Sequence, residues 1–259
     1  MSDKYTLEKI EILGGVLEYI YIPGKKDLPT LIMLHEGLGS ISTWKEFPKQ
    51  VSNTIHNPIL LYSRHGYGSS SFIKQKICSS YMHDEALKVL PTLISRLKLS
   101  RIILYGHSDG ASIAAIFAGS RPATTIEGVI LEAPHVFVEE ISLEGIKMAK
   151  LAFKNGKLRR GLKKHHHDPD RTFKNWSEVW LEPNFLNWNI QDYVRNISVP
   201  VLLIQGENDA YGSLKQLDAI ESDLKVECSR IVLEGIGHSP HKEEPESVLH
   251  ALKIFIKER

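Results

Sequence analysis

Six short runs of apolar residues recur along the chain, and longer stretches of mixed polarity separate them. The runs lie at residues 30–34, 58–62, 101–105, 128–131, 199–204 and 230–233. Because an apolar run without polar alternation is typical of a strand covered on both faces, the pattern predicts a mostly parallel sheet. Residues 7–22 differ, since alternating segments flank a Gly14-Gly15 turn there. They predict an antiparallel hairpin at the sheet edge.

Apolar residues at helical spacing fill several of the stretches between these runs. One such set consists of Ala86, Leu90, Leu93 and Leu97. Pro91 lies within this set and is expected to kink the helix. Residues 247–256 predict an amphipathic closing helix. Strands and helices that alternate in this way are typical of a doubly wound α/β sheet.

Residues 135–193 interrupt the alternation. They contain no strand-like run, and their composition shifts towards Lys, Arg, His, Trp and Asn. Helices are plausible near residues 138–155, 157–166 and 172–181. We predict that residues 1–134 and 194–259 form the core domain, and that residues 135–193 form a helical cap over the strand ends.

The composition argues against several classes of protein. Lys and Arg number 32 against 31 Asp and Glu, and this balance gives no electrostatic argument for binding nucleic acid. No apolar run approaches the ~20 residues of a membrane helix, and the first eight residues lack the apolar stretch of a secretory signal. Cys78 and Cys228 have no metal-ligand spacing and cannot form a disulfide framework. We expect a soluble, cytoplasmic protein; its oligomeric state stays open.

The most informative motif is Gly106-His107-Ser108-Asp109-Gly110, which follows one apolar run and precedes a helical stretch at residues 111–118. This strand–turn–helix setting is the one that a G-x-S-x-G nucleophile elbow requires. In such a sharp turn, the Ser108 hydroxyl projects above the sheet at the positive end of the following helix. An ordinary serine at a helix start is the alternative. We interpret Ser108 as the candidate nucleophile and His107 as a packing residue.

A serine nucleophile needs a base, and the base needs an acid that orients it. Asp209 lies just beyond the run at 199–204, and His238 lies just beyond the run at 230–233. Both therefore follow the carboxyl ends of predicted strands, where open α/β sheets place their active sites. The alternative is that both residues are ordinary loop residues with surface hydrogen bonds.

Each of these two residues has a neighbour of similar chemistry. Glu207 is the alternative acid, and His241 is the alternative base. We favour His238 because its flanking glycine and its position nearest the strand end suit a tight loop.

The elbow and the loops around Asp209 and His238, together with the segment Leu34-His35-Glu36-Gly37-Leu38-Gly39-Ser40, resemble the α/β-hydrolase superfamily. The resemblance runs from about residue 11 to residue 255 and extends to the branch with a helical cap after the sixth strand. It implies an oxyanion hole made by the amides of Gly37 and Asp109, whose donors contribute roughly 3–4 kcal/mol each. Glu36 departs from the family pattern, since glycine is common at its position.

Three residues are candidates for binding substrate: Glu36, His135 and Trp180. Glu36 sets an extra carboxylate near the pocket, and His135 directly follows the sixth strand and faces the same cleft. Four aromatic residues of the insertion either line an acyl pocket or form the core of the cap: Trp176, Trp180, Phe185 and Trp188. We interpret the side chain of Asp109 as a first-turn acid that complements the helix dipole.

Two other interpretations of the sequence are weaker. Residues 36–42 resemble part of a dinucleotide fingerprint, but its third glycine is missing and no acid closes the next strand. The tract His165-His166-His167-Asp168 suggests a metal, yet adjacent histidines point in different directions. We therefore expect no metal and no other cofactor.

The sequence predicts a serine hydrolase, similar to carboxylesterases, that cleaves an ester or related acyl bond of a small molecule. A serine nucleophile argues against haloalkane and epoxide chemistry, for which this fold uses aspartate. Two alternatives stay open. One is another hydrolase of acyl or C–C bonds on the same triad, such as a thioesterase, lactonase, perhydrolase or diketone hydrolase. The other is a ligand receptor that retains the fold without turnover.

Overall fold

A computed structural model of the chain describes residues 5–73 and 77–257. Within these residues one sheet of eight strands has the order β1-β2-β4-β3-β5-β6-β7-β8. The strands are β1 (Leu7–Ile12), β2 (Gly15–Ile22), β3 (Thr30–Leu34), β4 (Ile59–Tyr62), β5 (Arg101–His107), β6 (Thr125–Glu132), β7 (Val201–Gly206) and β8 (Cys228–Leu233). Strand β2 is antiparallel to β1 and β4, and all other neighbours are parallel. The predicted parallel sheet and its edge hairpin are confirmed.

Helices connect the strands and flank the sheet. The α-helices are α1 (Phe47–Ile55), α2 (Tyr81–Asp84), α3 (Leu90–Arg96), α4 (Asp109–Gly119), α5 (Glu140–Lys154), α6 (Lys157–Leu162), α7 (Pro169–Trp180), α8 (Gln191–Val194), α9 (Lys215–Asp223), α10 (Pro240–Glu243) and α11 (Pro245–Lys257). Short 3₁₀ helices lie at Ile41–Trp44 and Pro183–Asn187, and a π-helical turn lies at Glu85–Val89. In the described chain, no helix is both long enough and apolar enough to cross a bilayer.

Both faces of the sheet are buried, as the unbroken apolar runs predict. In β3, Leu31 and Met33 join a core with α1 and α11, whereas Ile32 and Leu34 join a second core with α3 and α4. Successive side chains of a strand point to opposite faces, so one run of apolar residues supplies both cores. Because both faces of the sheet are buried, the carboxyl ends of the strands are held in fixed positions.

Helix α4 occupies the centre of the second core. Every residue from Asp109 to Gly119 is buried, including the polar residues Asp109 and Ser112. A helix that is apolar around most of its circumference is typical of such a position. Its N-terminal end is therefore held firmly beside the ends of β3 and β5.

The predicted kink at Pro91 takes the form of a π-helical turn. The chain is helical from α2 through Glu85–Val89 into α3, where Pro91 stands in the first turn. Proline has no N–H to donate and fits a helix only where that donor is not required. The wider turn before Pro91 accommodates the missing hydrogen bond.

The segment from residue 135 to residue 193 contains α5, α6 and α7 close to their predicted positions, followed by Pro183–Asn187 and the start of α8. An isolated antiparallel bridge joins Phe137 to Asn189, near the two ends of the segment. The division of the chain into a core and a cap domain remains a prediction.

Candidate active site

Ser108 lies at the junction of β5 and α4, where the elbow motif predicts it. Its backbone has a φ of 55° and a ψ of −118°, a conformation that is strained for a residue with a side chain. The flanking glycines permit the turn. A Cβ on Gly106 would lie 2.2 Å from the carbonyl oxygen of Gly110, and one on Gly110 would lie 2.0 Å from that of Leu34. The turn thus presents the serine at the N-terminal end of a buried helix.

Ser108, His238 and Asp209 form one row of hydrogen bonds. His238 Nε2 lies 2.9 Å from Ser108 Oγ, and His238 Nδ1 lies 2.8 and 2.7 Å from Oδ1 and Oδ2 of Asp209. When Nδ1–H donates to the carboxylate, Nε2 can accept the hydroxyl proton. The structure therefore brings together the three residues that the sequence predicts as nucleophile, base and acid.

The environment of Asp209 keeps its carboxylate charged. Gln205 Nε2 and the amide of Tyr211 donate to it over 2.7 and 2.8 Å. Burial favours the neutral acid, but the hydrogen bond and the charge of His238, with the Tyr211 amide, lower the pKa of Asp209 below its ordinary value. An ionised Asp209 can orient the His238 ring and stabilise its protonated form.

The alternative base and acid have other partners. His241 is buried, and its Nδ1–H donates to Glu132 Oε1 over 2.7 Å. Glu207 is exposed and accepts a hydrogen bond from the amide of Gly235. The geometry therefore favours His238 and Asp209.

Ser108 and His238 line a cavity of about 370 Å³, a size in the usual range for small-molecule sites. Gly37 and Asp109, whose amides are the predicted oxyanion donors, line the same cavity. Its apolar wall consists of Leu38, Ile146, Leu158, Leu162, Trp176, Trp180 and Tyr211. Helices α5, α6 and α7 supply most of this wall, so the insertion shapes the space beside Ser108.

Glu36 lines the cavity, and its carboxylate lies between two basic side chains. Lys242 Nζ donates to its Oε1 over 3.0 Å, and its Oε2 lies 3.7 Å from His107 Nδ1. Although burial raises the pKa of Glu36, the charges of Lys242 and His107 hold it well below its ordinary value. An ionised Glu36, paired with Lys242, therefore lies beside the cavity.

His135 also lines the cavity. Its Nε2–H donates to the carbonyl oxygen of Tyr211 over 3.1 Å, and its ring meets Trp180 at 5.2 Å and His238 at 5.9 Å between centroids. Burial and the neighbouring His238 lower the pKa of His135. His135 is thus a neutral ring that supports the Asp209 loop and borders the space beside the base.

The four aromatic residues of the insertion have two kinds of position. Trp176 and Trp180 line the cavity. Phe185 and Trp188 pack against Trp180, with ring centroids 4.9 and 6.3 Å from it. Both interpretations of the sequence therefore hold, each for one pair.

The side chain of Asp109 does more than complement a helix dipole, so our interpretation of it was incomplete. It does lie in the first turn of α4, but it is only 1% exposed. The hydroxyl of Tyr81 donates to its Oδ2 over 2.6 Å, and Arg64 Nη2 lies 3.7 Å from the same oxygen. The carboxylate belongs to a buried polar network.

A second buried network, which the sequence analysis missed, lies beneath the His238 loop. Glu132 ends β6 and accepts hydrogen bonds from the backbone amide and Nδ1 of His241 and from the hydroxyl of Tyr105. His107 Nε2–H donates to the carbonyl oxygen of His238 over 2.7 Å, so His107 is more than a packing residue. Although burial lowers the pKa of His107, Glu36 and Glu132 raise it. A charged residue at the end of an apolar run was the signal for Glu132.

This second network also contains a possible set of metal ligands. His107, Glu132 and His241 bring ligand atoms within 4.8 Å of one another, and hydrogen bonds already engage all three residues. In contrast, the residues of the His165 tract point to different partners: His165 to Ser42, His166 to Leu38 and the Gly68 amide, and Asp168 to the first turn of α7. They do not converge on a metal.

The segment that resembles a dinucleotide fingerprint has another structure. After β3 it forms a loop and the short 3₁₀ helix Ile41–Trp44. A dinucleotide site needs a full helix whose N-terminus faces the pyrophosphate. The segment instead supplies the cavity residues Glu36, Gly37 and Leu38.

Comparison with curated proteins finds hydrolases of several kinds. A "Putative esterase/lipase" of Haemophilus influenzae is 24% identical over 98% of this chain and 93% of its own length. The human "Epoxide hydrolase 4" is 21% identical over 96% of this chain and 78% of its own length. The names of these relatives indicate different kinds of bond that are hydrolysed, and their identity to this chain is low.

Solved structures resemble the chain over nearly its whole length. A bacterial membrane phospholipase A superposes with a TM-score of 0.80 at 17% identity, covering 98% of this chain and 86% of that one. The enol-lactonase of Burkholderia xenovorans gives 0.72 at 18% identity, covering 96% and 100%. These likenesses establish the fold.

A match to a family model shows which protein family this chain belongs to. The model Hydrolase_4, described as "Serine aminopeptidase, S33", matches residues 59–245, which include the elbow, the Asp209 loop and the His238 loop. The chain therefore belongs to this family of hydrolases, and its fold is that of the α/β-hydrolase superfamily.

Proposed function

We propose that this hydrolase is a serine esterase that cleaves an ester or related acyl bond of a small molecule. One observation carries the proposal: the hydrogen-bonded row of Ser108, His238 and Asp209 borders a cavity large enough for an acyl group. The serine in the elbow also argues against the aspartate-based chemistry of epoxide hydrolases.

The proposed reaction follows from the protonation state of His238, which carries its proton on Nδ1 and can accept another on Nε2. His238 Nε2 takes the proton of Ser108 as the oxygen attacks the substrate carbonyl, and Asp209 stabilises the imidazolium that forms. The amides of Gly37 and Asp109 donate to the oxyanion. His238 then gives its proton to the leaving group, and a water molecule that His238 activates releases the acid from Ser108.

The cavity wall suggests which acyl groups fit. Its apolar side chains favour an uncharged hydrocarbon group of modest size. We propose a neutral acyl ester as the preferred substrate. The reaction needs no metal or other cofactor.

A second candidate activity is hydrolysis of an aminoacyl amide. The family description names a serine aminopeptidase, and an amide bond can be cleaved by the same arrangement of serine, histidine and aspartate. An aminoacyl p-nitroanilide assayed beside the esters separates the two activities.

We further propose a cytoplasmic location. Cys78 and Cys228 are both free, as is usual in the reducing cytoplasm.

The first prediction concerns Ser108. We expect a fluorophosphonate probe to label the wild-type protein, and p-nitrophenyl esters to be hydrolysed with an optimum at one acyl length. Ser108→Ala should abolish labelling and lower kcat by about 10⁶-fold, because the nucleophile is lost.

Ser120→Ala is the matched control, because Ser120 caps the other end of α4 and bonds to Phe117. It should label and turn over like the wild type. Undiminished turnover by Ser108→Ala would overturn the assignment. A folded wild-type protein that is neither labelled nor active would favour the receptor alternative.

A further inference from the structure

Arg64 is a buried cation close to the catalytic residues, and the proposed mechanism gives it no role. It follows β4 by two residues and is only 4% exposed. Its guanidinium lies over the ring of Tyr67, 4.7 Å from the centroid. Burying a charge is costly unless that charge is paired and hydrogen-bonded, so a buried guanidinium requires partners.

The guanidinium contacts two separate segments of the site. Nη1 donates to the carbonyl oxygen of His35 over 2.7 Å, and Nη2 donates to that of Glu36 over 3.0 Å. Nη2 also lies 3.7 Å from the carboxylate of Asp109. One planar group therefore spans the loop after β3 and the first turn of α4, the two segments that carry the proposed oxyanion amides.

The contact with Glu36 determines the direction of an oxyanion donor. The carbonyl of Glu36 and the N–H of Gly37 belong to one peptide unit, which is planar and trans. In a trans peptide these two groups point in opposite directions. A partner that holds the Glu36 oxygen from one side therefore aims the Gly37 N–H to the other side.

The same carbonyl accepts two further hydrogen bonds, one from the amide of Gly39 over 3.0 Å and one from His35. The backbone amide of Arg64 donates to His35 Nε2 over 3.1 Å, which leaves the proton on Nδ1. His35 Nδ1–H then donates to the Glu36 oxygen over 2.8 Å. Arg64 thus fixes this peptide both through its guanidinium and through its own backbone.

The Asp109 carboxylate is also held by a chain of hydrogen bonds that reaches the cavity. Tyr81 donates to the Asp109 carboxylate, and Trp180 Nε1–H donates to the Tyr81 hydroxyl over 2.9 Å. Trp180 lines the cavity. The first turn of α4 is therefore connected, through the Asp109 carboxylate, both to Arg64 and to a side chain of the cavity wall.

We propose that Arg64 is a positioning residue for the oxyanion hole, which sets the spacing and direction of the Gly37 and Asp109 amides. The inference rests on the proposed hydrolase function. Arginine suits this role because its rigid planar fork fixes two acceptors at once, whereas lysine supplies a point charge on a flexible stem.

The test compares Arg64→Lys and Arg64→Gln with the wild type. For the best p-nitrophenyl ester, we expect kcat to fall about 10²-fold in both variants while KM changes less than about threefold. The reason is that misplaced amides reduce the stabilisation of the transition state more than they reduce the binding of the substrate. A trifluoromethyl ketone with the same acyl group forms an oxyanion on the serine. Its inhibition constant should rise by the factor by which kcat/KM falls.

Arg101→Lys is the control, because Arg101 is half exposed and bonds to Glu127 on the sheet. It should leave kcat and the inhibition constant unchanged. A folded Arg64→Lys variant with wild-type kcat and ketone affinity would overturn the inference, and so would a change confined to KM. If neither Arg64 variant folds, the residue acts in folding and the inference fails. An inactive wild-type protein would refute the proposed function instead.

Discussion

Asp209 and Glu207 stand two residues apart in the same loop, yet their surroundings differ. Asp209 is 5% exposed and accepts hydrogen bonds from four residues, whereas Glu207 is exposed and accepts one from Gly235. A carboxylate can orient an imidazole only where it is itself held in place. The hydrogen-bond partners of Asp209 and Glu207, rather than the choice of aspartate or glutamate, therefore indicate which of them can act as the acid.

This difference predicts a large loss of activity for one amide substitution and almost none for the other. Asp209→Asn should lower kcat by about 10⁴-fold, because an amide can donate to Nδ1 and stabilise the wrong tautomer of His238. Steady-state kinetics with the preferred p-nitrophenyl ester measure the loss. Glu207→Gln serves as the matched control and should stay within about threefold of the wild type. The reverse ranking would assign the acid to Glu207.

At the scale of secondary-structure elements, the end of β7 and the loop after β8 are in close contact. A Cβ on Gly206 would lie 2.1 Å from the carbonyl oxygen of Gly237 and 2.4 Å from that of Ile236. Both obstacles are backbone atoms, which cannot rotate away as a side chain can. The position of the His238 loop therefore depends on the absence of a side chain at the end of β7.

We predict that Gly206→Ala displaces this loop and impairs activity and stability together. The clash should cost about 1–3 kcal/mol and lower the melting temperature by several degrees. It should also lower kcat at least tenfold, because His238 moves relative to Ser108. Calorimetry and ester kinetics on one preparation measure both effects.

Gly161→Ala is the control for this substitution. A Cβ on Gly161 would meet nothing within 4 Å, and the residue lies in helix α6, where alanine is favoured over glycine. Its melting temperature should stay the same or rise. A Gly206→Ala variant with wild-type melting temperature and kcat would show that the loop tolerates displacement.

The sequence predicts the elements and loops that depend on local patterns. Strands such as β3 and β7 are visible as apolar runs because both of their faces are buried. Ser108, Asp209 and His238 could be predicted as candidates because each lies just beyond such a run. The position of a residue after a strand is a local property, and parallel pairing then brings these positions to one edge.

Polar pairing between distant segments could not be predicted in the same way. Glu132 and His241 are 109 positions apart, and Arg64 reaches two loops that its own sequence neighbourhood does not indicate. A hydrophobic pattern reports which residues are buried but not which polar groups meet. The π-helical turn at Glu85–Val89 is another such feature, since the pattern showed only that Pro91 disturbs a helix.

At the scale of the whole molecule, Glu132 joins parts of the chain that are far apart. It connects β6 to β5 through Tyr105 and to α10 through His241, and it is wholly buried. Burial raises its pKa and also lowers that of His241, but the contacts of Glu132 with His241, His107 and Tyr105 together lower the pKa of Glu132 from 4.5 to about 2. A carboxyl whose pKa is lower in the folded state stabilises that state while it is ionised.

The sign of this effect gives a prediction for acid. Because the pKa of Glu132 is depressed in the folded state, its contribution is fully present above about pH 4.5 and is lost as the pH falls towards 2. Urea unfolding should therefore show that Glu132→Gln loses less stability than the wild type between pH 6 and pH 3.5, by roughly 1–2 kcal/mol. Glu127→Gln, on the same strand but in a partly exposed pair with Arg101, should follow the wild-type pH dependence. Parallel pH dependences for wild type and Glu132→Gln would mean that Glu132 does not link folding to pH.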